Sequence, residues 1–140
     1  MTDETRLADV IGNYCHIDGP HTSDTVIDAA ESISALVRYL NHATMNRAGT
    51  QLEWAQTIYS VVSNLSGAMH GCDQLLRQLA DALDHQATLP KLYDDRRDRP
   101  GSQTAIDAAV QLEAARHGAG VLATCLDIAR DFAGHLGNDD

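Results

Sequence analysis

Apolar residues recur along this chain at alternating steps of three and four, and three stretches keep that step without a miss. The two longest are Ala55, Ile58, Val62, Leu65, Met69, Cys72, Leu76, Leu79, Leu83 and Ala105, Ala108, Leu112, Ala115, Ala119, Leu122, Leu126, Ala129, Ala133, Leu136. A mean step of about 3.5 residues keeps every such side chain on one stripe of a helix, and that stripe must be buried against another helix. A third ladder runs Val26, Ala29, Ile33, Leu36, Leu40, Ala43. The spacing predicts long helices over 24–47, 51–87 and 103–136. A short helix is expected over 3–14, where Leu7, Val10 or Ile11, and Tyr14 share a side. The fold class is therefore all-α: an antiparallel bundle of three long helices plus a short N-terminal helix, in one domain over 1–140.

Local signals set the expected boundaries. Thr22 or Ser23 is placed to cap the second helix, and Gly49 to end it. Thr50-Gln-Leu-Glu53 has the spacing of a capping box, Pro90 stops the third helix, and Ser102 is the expected cap of the fourth. Gly137-Asn-Asp-Asp140 reads as a frayed acidic tail. The short link at 47–50 turns the 24–47 helix antiparallel to the 51–87 helix, which it covers to about residue 75. The connector end, 77–88 against 102–112, then needs the N-terminal helix or a second copy of the chain as cover. Trp54, Val61, Ala68, Leu75 and Ala82 widen the third helix's stripe, which adds to the expectation of a homodimer. Trp54 and Phe132 are expected where helices meet and more volume has to be filled.

Composition narrows the class. Apolar residues make up 44% of 140, and aromatics 4%, so the core is aliphatic and Ala-rich, which suits close helix packing. A net charge of −10 argues against binding a phosphate backbone, so a nucleic-acid partner is not expected. Arg outnumbers Lys nine to one, a usage that points to a GC-rich bacterial genome. No uninterrupted apolar run is long enough to span a bilayer, no basic-then-apolar leader opens the chain, and no membrane partner is expected. Three cysteines, Cys15, Cys72 and Cys125, form no C-x-x-C pair, and Cys72 and Cys125 fall at unequal heights of the hairpin. Reduced, buried thiols in the cytoplasm are expected.

Chemistry-bearing groups are few. Cys15, His16, Asp18 and His21 are metal-ligand types within one loop, but no second pair completes a zinc site. Gly67, Gly71, Gly118 and Gly120 lie near one height with His70 and His117. Since Gly costs a helix about 1 kcal/mol relative to Ala, close approach of another helix is the first reading. Local flexibility or a kink is the second, and a ligand slot among His70, His117, Gly71 and Gly118 is the third. Tyr93, Arg96, Arg97 and Arg99, interleaved with Asp94, Asp95 and Asp98, make a self-neutralising connector and a candidate partner contact. The Asp28/Glu31 and Asp81/Asp84 pairs have the spacing of magnesium-holding acidic motifs but fall on outward positions. No Glu-x-x-His pair lies on a helix, and Glu113 and His117 point off the seam. Ser63 and Ser66 neighbour His70, with no orienting carboxylate placed to complete a nucleophile. The Trp-x-Gly turn of small secreted helical hairpins is not met, because Ala55 and Gln56 follow Trp54. These observations point to a non-enzymatic interaction or regulatory protein without a cofactor. A small-ligand-binding or nucleotide-hydrolysing bundle is the alternative.

Overall fold

The computed structural model describes residues 5–45 and 51–139. They form α1 (Leu7–Tyr14), α2 (Ser23–Ala43), a 3-10 turn (Gln51–Glu53), α3 (Ala55–Ala87) and α4 (Gly101–Ala133). The chain divides into two compact units, Met1–Gln51 and Leu52–Asp140. Among the described residues no strand occurs, and no helix is long and apolar enough to cross a membrane.

In the first unit, α1 and α2 do not pack on one another, and neither buries a residue. The Thr22 cap forms as expected: its hydroxyl accepts from the Thr25 N–H at 3.2 Å, and the Thr25 hydroxyl accepts from the Thr22 N–H at 2.9 Å. The helix ends at Ala43 rather than near residue 47, where the Thr44 hydroxyl donates back to the Leu40 carbonyl at 2.8 Å. Gly49 and Thr50, the expected cap and capping box, lie outside the described residues.

The second unit is an antiparallel hairpin, with α3 and α4 packed along their length. Its boundaries differ from the expected ones at both open ends. Residues 51–53 are a 3-10 turn, α3 starts at Ala55, and the Ala55 N–H is taken by Asn138 Oδ1 at 2.8 Å. The C-terminal tail is therefore pinned as far as Asn138, and it satisfies the first orphan amide of α3 from across the hairpin. Helix α4 begins at Gly101 with Pro100 as its N-cap, so Ser102 lies inside the helix, and it ends at Ala133 rather than Leu136.

The larger correction concerns which edge of each helix forms the seam. The seam on α3 is Ala55, Tyr59, Val62, Ser66, Met69, Asp73, Leu76, Ala80, Leu83 and Ala87, all buried or half-buried. On α4 it is Ala105, Ala109, Leu112, Arg116, Ala119, Ala123, Leu126, Arg130 and Ala133. In heptad terms both helices keep the expected a positions (Ala55, Val62, Met69; Ala105, Leu112, Ala119) and pair them with e instead of d. The reason is size. Ala80 and Ala123 are 2% and 1% exposed, and with Ser66 and Ala109 they let the two axes approach more closely than Leu79 or Leu122 would.

That rotation leaves the d and g positions of both helices outside the seam. Because the helices are antiparallel, d lies to the same side of the seam on each, so these positions share one face of the hairpin. On α3 and its N-cap the face carries Trp54, Ile58, Val61, Leu65, Ala68, Cys72, Leu75, Leu79 and Ala82, of which Val61, Leu65 and Cys72 are half-buried; on α4 it carries Ala115, Gly118, Leu122, Cys125, Ala129 and Phe132. Trp54 and Phe132, expected to fill volume between helices, are 54% and 72% exposed. The polar residues gather on the other side.

Candidate functional site

Every charged residue of the two long helices avoids the a, d and g positions. They are Asp73, Arg77, Asp81 and Asp84 on α3, and Asp107, Glu113, Arg116, Asp127, Arg130 and Asp131 on α4. Two faces of different chemistry result: a polar one cross-linked over the seam, and an uncharged one.

Two clusters bridge the polar face. In the first, the Ser66 hydroxyl, 1% exposed, donates to Asp127 Oδ1 at 2.5 Å. His70 Nε2 meets Asp127 Oδ2 at 2.8 Å, and Arg130 approaches Asp127 at 3.3 Å. The Ser66 hydroxyl, then the His70 ring, hold the Asp127 carboxyl below its ordinary value. The carboxylate that no local spacing supplies to Ser66 and His70 is Asp127, from the facing helix. The order of bonding is nevertheless wrong for a nucleophile. The serine hydroxyl bonds to the carboxylate, not to the imidazole, so the base that meets it is a carboxylate held below its ordinary value, a weak one for activating a nucleophile. The cluster ties α3 to α4.

In the second, Arg116 Nε binds Asp73 Oδ1 at 2.6 Å and Arg116 Nη1 binds Glu113 Oε2 at 3.1 Å, while Arg77 reaches Asp73 at 3.2 Å. The Arg116 guanidinium depresses the Asp73 carboxyl, and Asp73 in turn raises Arg116. A shallow depression of about 500 Å³ opens beside it, lined by Asp73, Glu113, Arg116, His117, Gly120, Val121 and Thr124. Its one guanidinium is already neutralised by two carboxylates, so it offers an anion little.

The candidate slot of His70, His117, Gly71 and Gly118 is not brought together as one pocket. His70 is engaged by Asp127, and His117 lines the Arg116 depression. A Cβ built on Gly67, Gly71, Gly118 or Gly120 meets nothing within 4 Å, so no close approach within the chain accounts for these glycines. In the 15–21 loop, His21 Nε2 faces the Ile17 carbonyl at 3.0 Å. Among the described residues no three His, Cys, Asp or Glu side chains converge on a metal position, so Cys15, His16, Asp18 and His21 stay apart as ligands. Cys15 and Cys125 are exposed and Cys72 half-buried, all three free, whereas buried thiols were expected. Asp28, Glu31, Asp81 and Asp84 are exposed, and Asp28 and Glu31 border a small hollow of about 370 Å³ with Tyr14 and Asp24.

The connector is ordered around one carboxylate. Asp94, 5% exposed, accepts from the Arg96 N–H at 2.9 Å, from Arg96 Nε and Nη2 at 3.2 and 3.0 Å, and from the Thr104 hydroxyl at 2.5 Å. The Arg96 guanidinium, then Thr104, hold its carboxyl far below the usual range. Arg99 donates to Thr104 at 2.9 Å and to Asp107 at 2.6 Å, which anchors the loop to the first turns of α4. Tyr93 and Pro100 form a bridge, and Gly101 packs on the Tyr93 backbone so closely that a Cβ would lie 2.6 Å from the Tyr93 Cα. Arg97 takes a left-handed φ of 59° and stacks its guanidinium 4.1 Å from the Tyr93 ring centre. Of the four residues proposed for partner contact, Arg96 and Arg99 brace the loop through Asp94 and Asp107, with the Arg96 side chain still 62% exposed, while Tyr93 and Arg97 form an exposed stacked pair.

No family model, no curated protein and no solved structure matches the chain.

Proposed function

We propose that the protein is a non-enzymatic interaction module of the cytoplasm, working through the uncharged face of the α3–α4 hairpin. One observation carries the reading. From Trp54 to Ala82 along α3 and from Ala115 to Phe132 on α4, the d and g positions hold no charged and no amide side chain. Exposed apolar patches beyond a few hundred Å² mark interaction sites on folded proteins, because leaving them in water is costly and invites aggregation. Here Leu79 and Leu122 are 44% and 48% exposed on that face. The polar clusters support the same reading, since Asp127 and Arg116 spend their bonding capacity on residues of the hairpin itself. The engaged surface is another apolar helix face, and self-association into a dimer is one form the engagement takes.

A photo-crosslinking residue placed at 79 or 122 in the full chain, expressed in its own host, tests the reading. Adducts identified by mass spectrometry are expected from both positions and not from 110, an exposed position off the face. No adduct from 79 or 122, or equal yield from 110, refutes it.

A further inference from the structure

The uncharged face is nearly symmetric about its own centre. On α3 it runs from the N-cap Trp54 to Ala82, centred at Ala68, and on α4 from Ala115 to Phe132, centred within two residues of Cys125. Those centres lie at the same height of the hairpin, because the pairs Ser66–Asp127, Ala55–Asn138 and Tyr59–Gly134 set the register at which Ala68 faces Cys125. A two-fold axis through that level, across both helices, lays the face on itself with nearly full overlap. This is the condition for an isologous interface. The face also ends in the same way on both helices: Gln86 and Gln111 are its first amide-bearing positions, both toward the connector.

We propose that the occupant of this face is a second copy of the chain, seated antiparallel to form a four-helix dimer. The proposal rests on the interaction reading above and names its partner. Side-chain size supports the antiparallel order. With the axis at Ala68 and Cys125, α3 lies on the partner's α3, and α4 on the partner's α4. Phe132 then falls on Gly118 of the other copy, Trp54 on Ala82, and Leu122 on Ala129. The bulkiest groups of one end meet the smallest of the other, which keeps the gap between helices even. Gly118, open on its outer side within the chain, acquires a reason. A parallel arrangement would instead crowd Trp54, Ile58 and Phe132 of both copies at one end.

The area is adequate. The face is about 42 Å long on α3 and about 26 Å long on α4 at 1.5 Å per residue, and each strip is about 9 Å wide for helices packed 8–10 Å apart. Each copy would bury roughly 600 Å², which reaches the lower end of the ~1,200–2,000 Å² that a stable interface buries over both partners. Desolvation is inexpensive, because no charge enters the interface.

Light scattering on the full chain tests the proposal. The wild type is expected at twice the 15.1 kDa chain mass in the micromolar range. Leu79→Arg and Leu122→Arg are expected at the single-chain mass with unchanged helical circular dichroism, since both positions are half-exposed in the single copy and tolerate a long charged side chain. Val110→Arg, equally exposed but off the face, remains dimeric. In a Cys15→Ser chain a short bismaleimide joins two Cys125 thiols across the axis. A dimer that resists this joining, or one unaffected by Leu79→Arg, overturns the proposal. A wild type that stays monomeric also overturns it, and footprinting then separates the two ideas. A solvent-labelled Leu79 and Leu122 would leave the face free for a different partner and keep the interaction reading. A face protected in the monomer would refute both.

Discussion

Gly67 and Gly71 sit in the middle of α3 with open space where a Cβ would go, and Gly101 sits at the start of α4 with none. Alanine at these positions should therefore act in opposite directions. At Gly67 or Gly71 the added methyl touches nothing and restricts the unfolded backbone, a gain of about 1 kcal/mol each. For a hairpin of this size that corresponds to a rise in melting temperature of roughly 4–8 °C per substitution. At Gly101 the methyl would stand 2.6 Å from the Tyr93 Cα and 2.7 Å from the Tyr93 N and C, all backbone atoms that cannot rotate away. Either the Tyr93–Pro100 bridge opens or the first turn of α4 shifts, a cost of about 1–3 kcal/mol. Thermal melts followed by circular dichroism at one fixed protein concentration measure all three, the concentration being held because a dimer's melting point depends on it. The double change Gly67→Ala with Gly71→Ala should be additive, since neither methyl finds a shared partner. A fall in melting temperature for Gly67→Ala would mean that something packs against that side of α3. An unchanged melt for Gly101→Ala would mean that the connector does not lie on Gly101, and the account of its order would fail.

Ser66→Ala removes the buried donor to Asp127 and should cost about 1–2 kcal/mol, read as a lower urea midpoint with unchanged slope; a neutral result would deny that the bond ties the helices. Asp94→Asn leaves Arg96, Arg99 and Thr104 without their common carboxylate, so trypsin should cut after Arg96 or Arg97 several-fold faster than in the wild type. Equal cleavage rates would remove Asp94 as the organiser of the connector. The carboxyls of Asp73, Asp94, Asp107 and Asp127 all titrate below their unfolded values. Their contribution is therefore complete above the unfolded value of about 4 and is lost as pH falls through the folded ones. The urea midpoint should be flat near neutrality and decline below about pH 4, less steeply in Asp127→Asn, and a midpoint that improves with acid would contradict the ion-pair assignments.

Periodicity alone placed helices over 51–87 and 103–136, against the observed 55–87 and 101–133, and folded them back on each other, because a stripe every 3.5 residues has no other inexpensive burial. The Thr22 cap was legible for a similar reason: its hydroxyl acts on residues within one turn. What the sequence did not disclose was which edge of the stripe closes the hairpin. Leucine and isoleucine at d look like the seam by hydrophobicity, yet the smaller Ser66, Ala80, Ala109 and Ala123 at e allow closer axes. That preference depends on two helices fitting together, not on either one. Asp127 meets Ser66 from 61 residues away, and Asn138 reaches the Ala55 amide from 83, distances in sequence that no local pattern spans. Tertiary packing therefore decided where the charges close on themselves, and by rotating the seam it left the leucine edge of both helices turned outward.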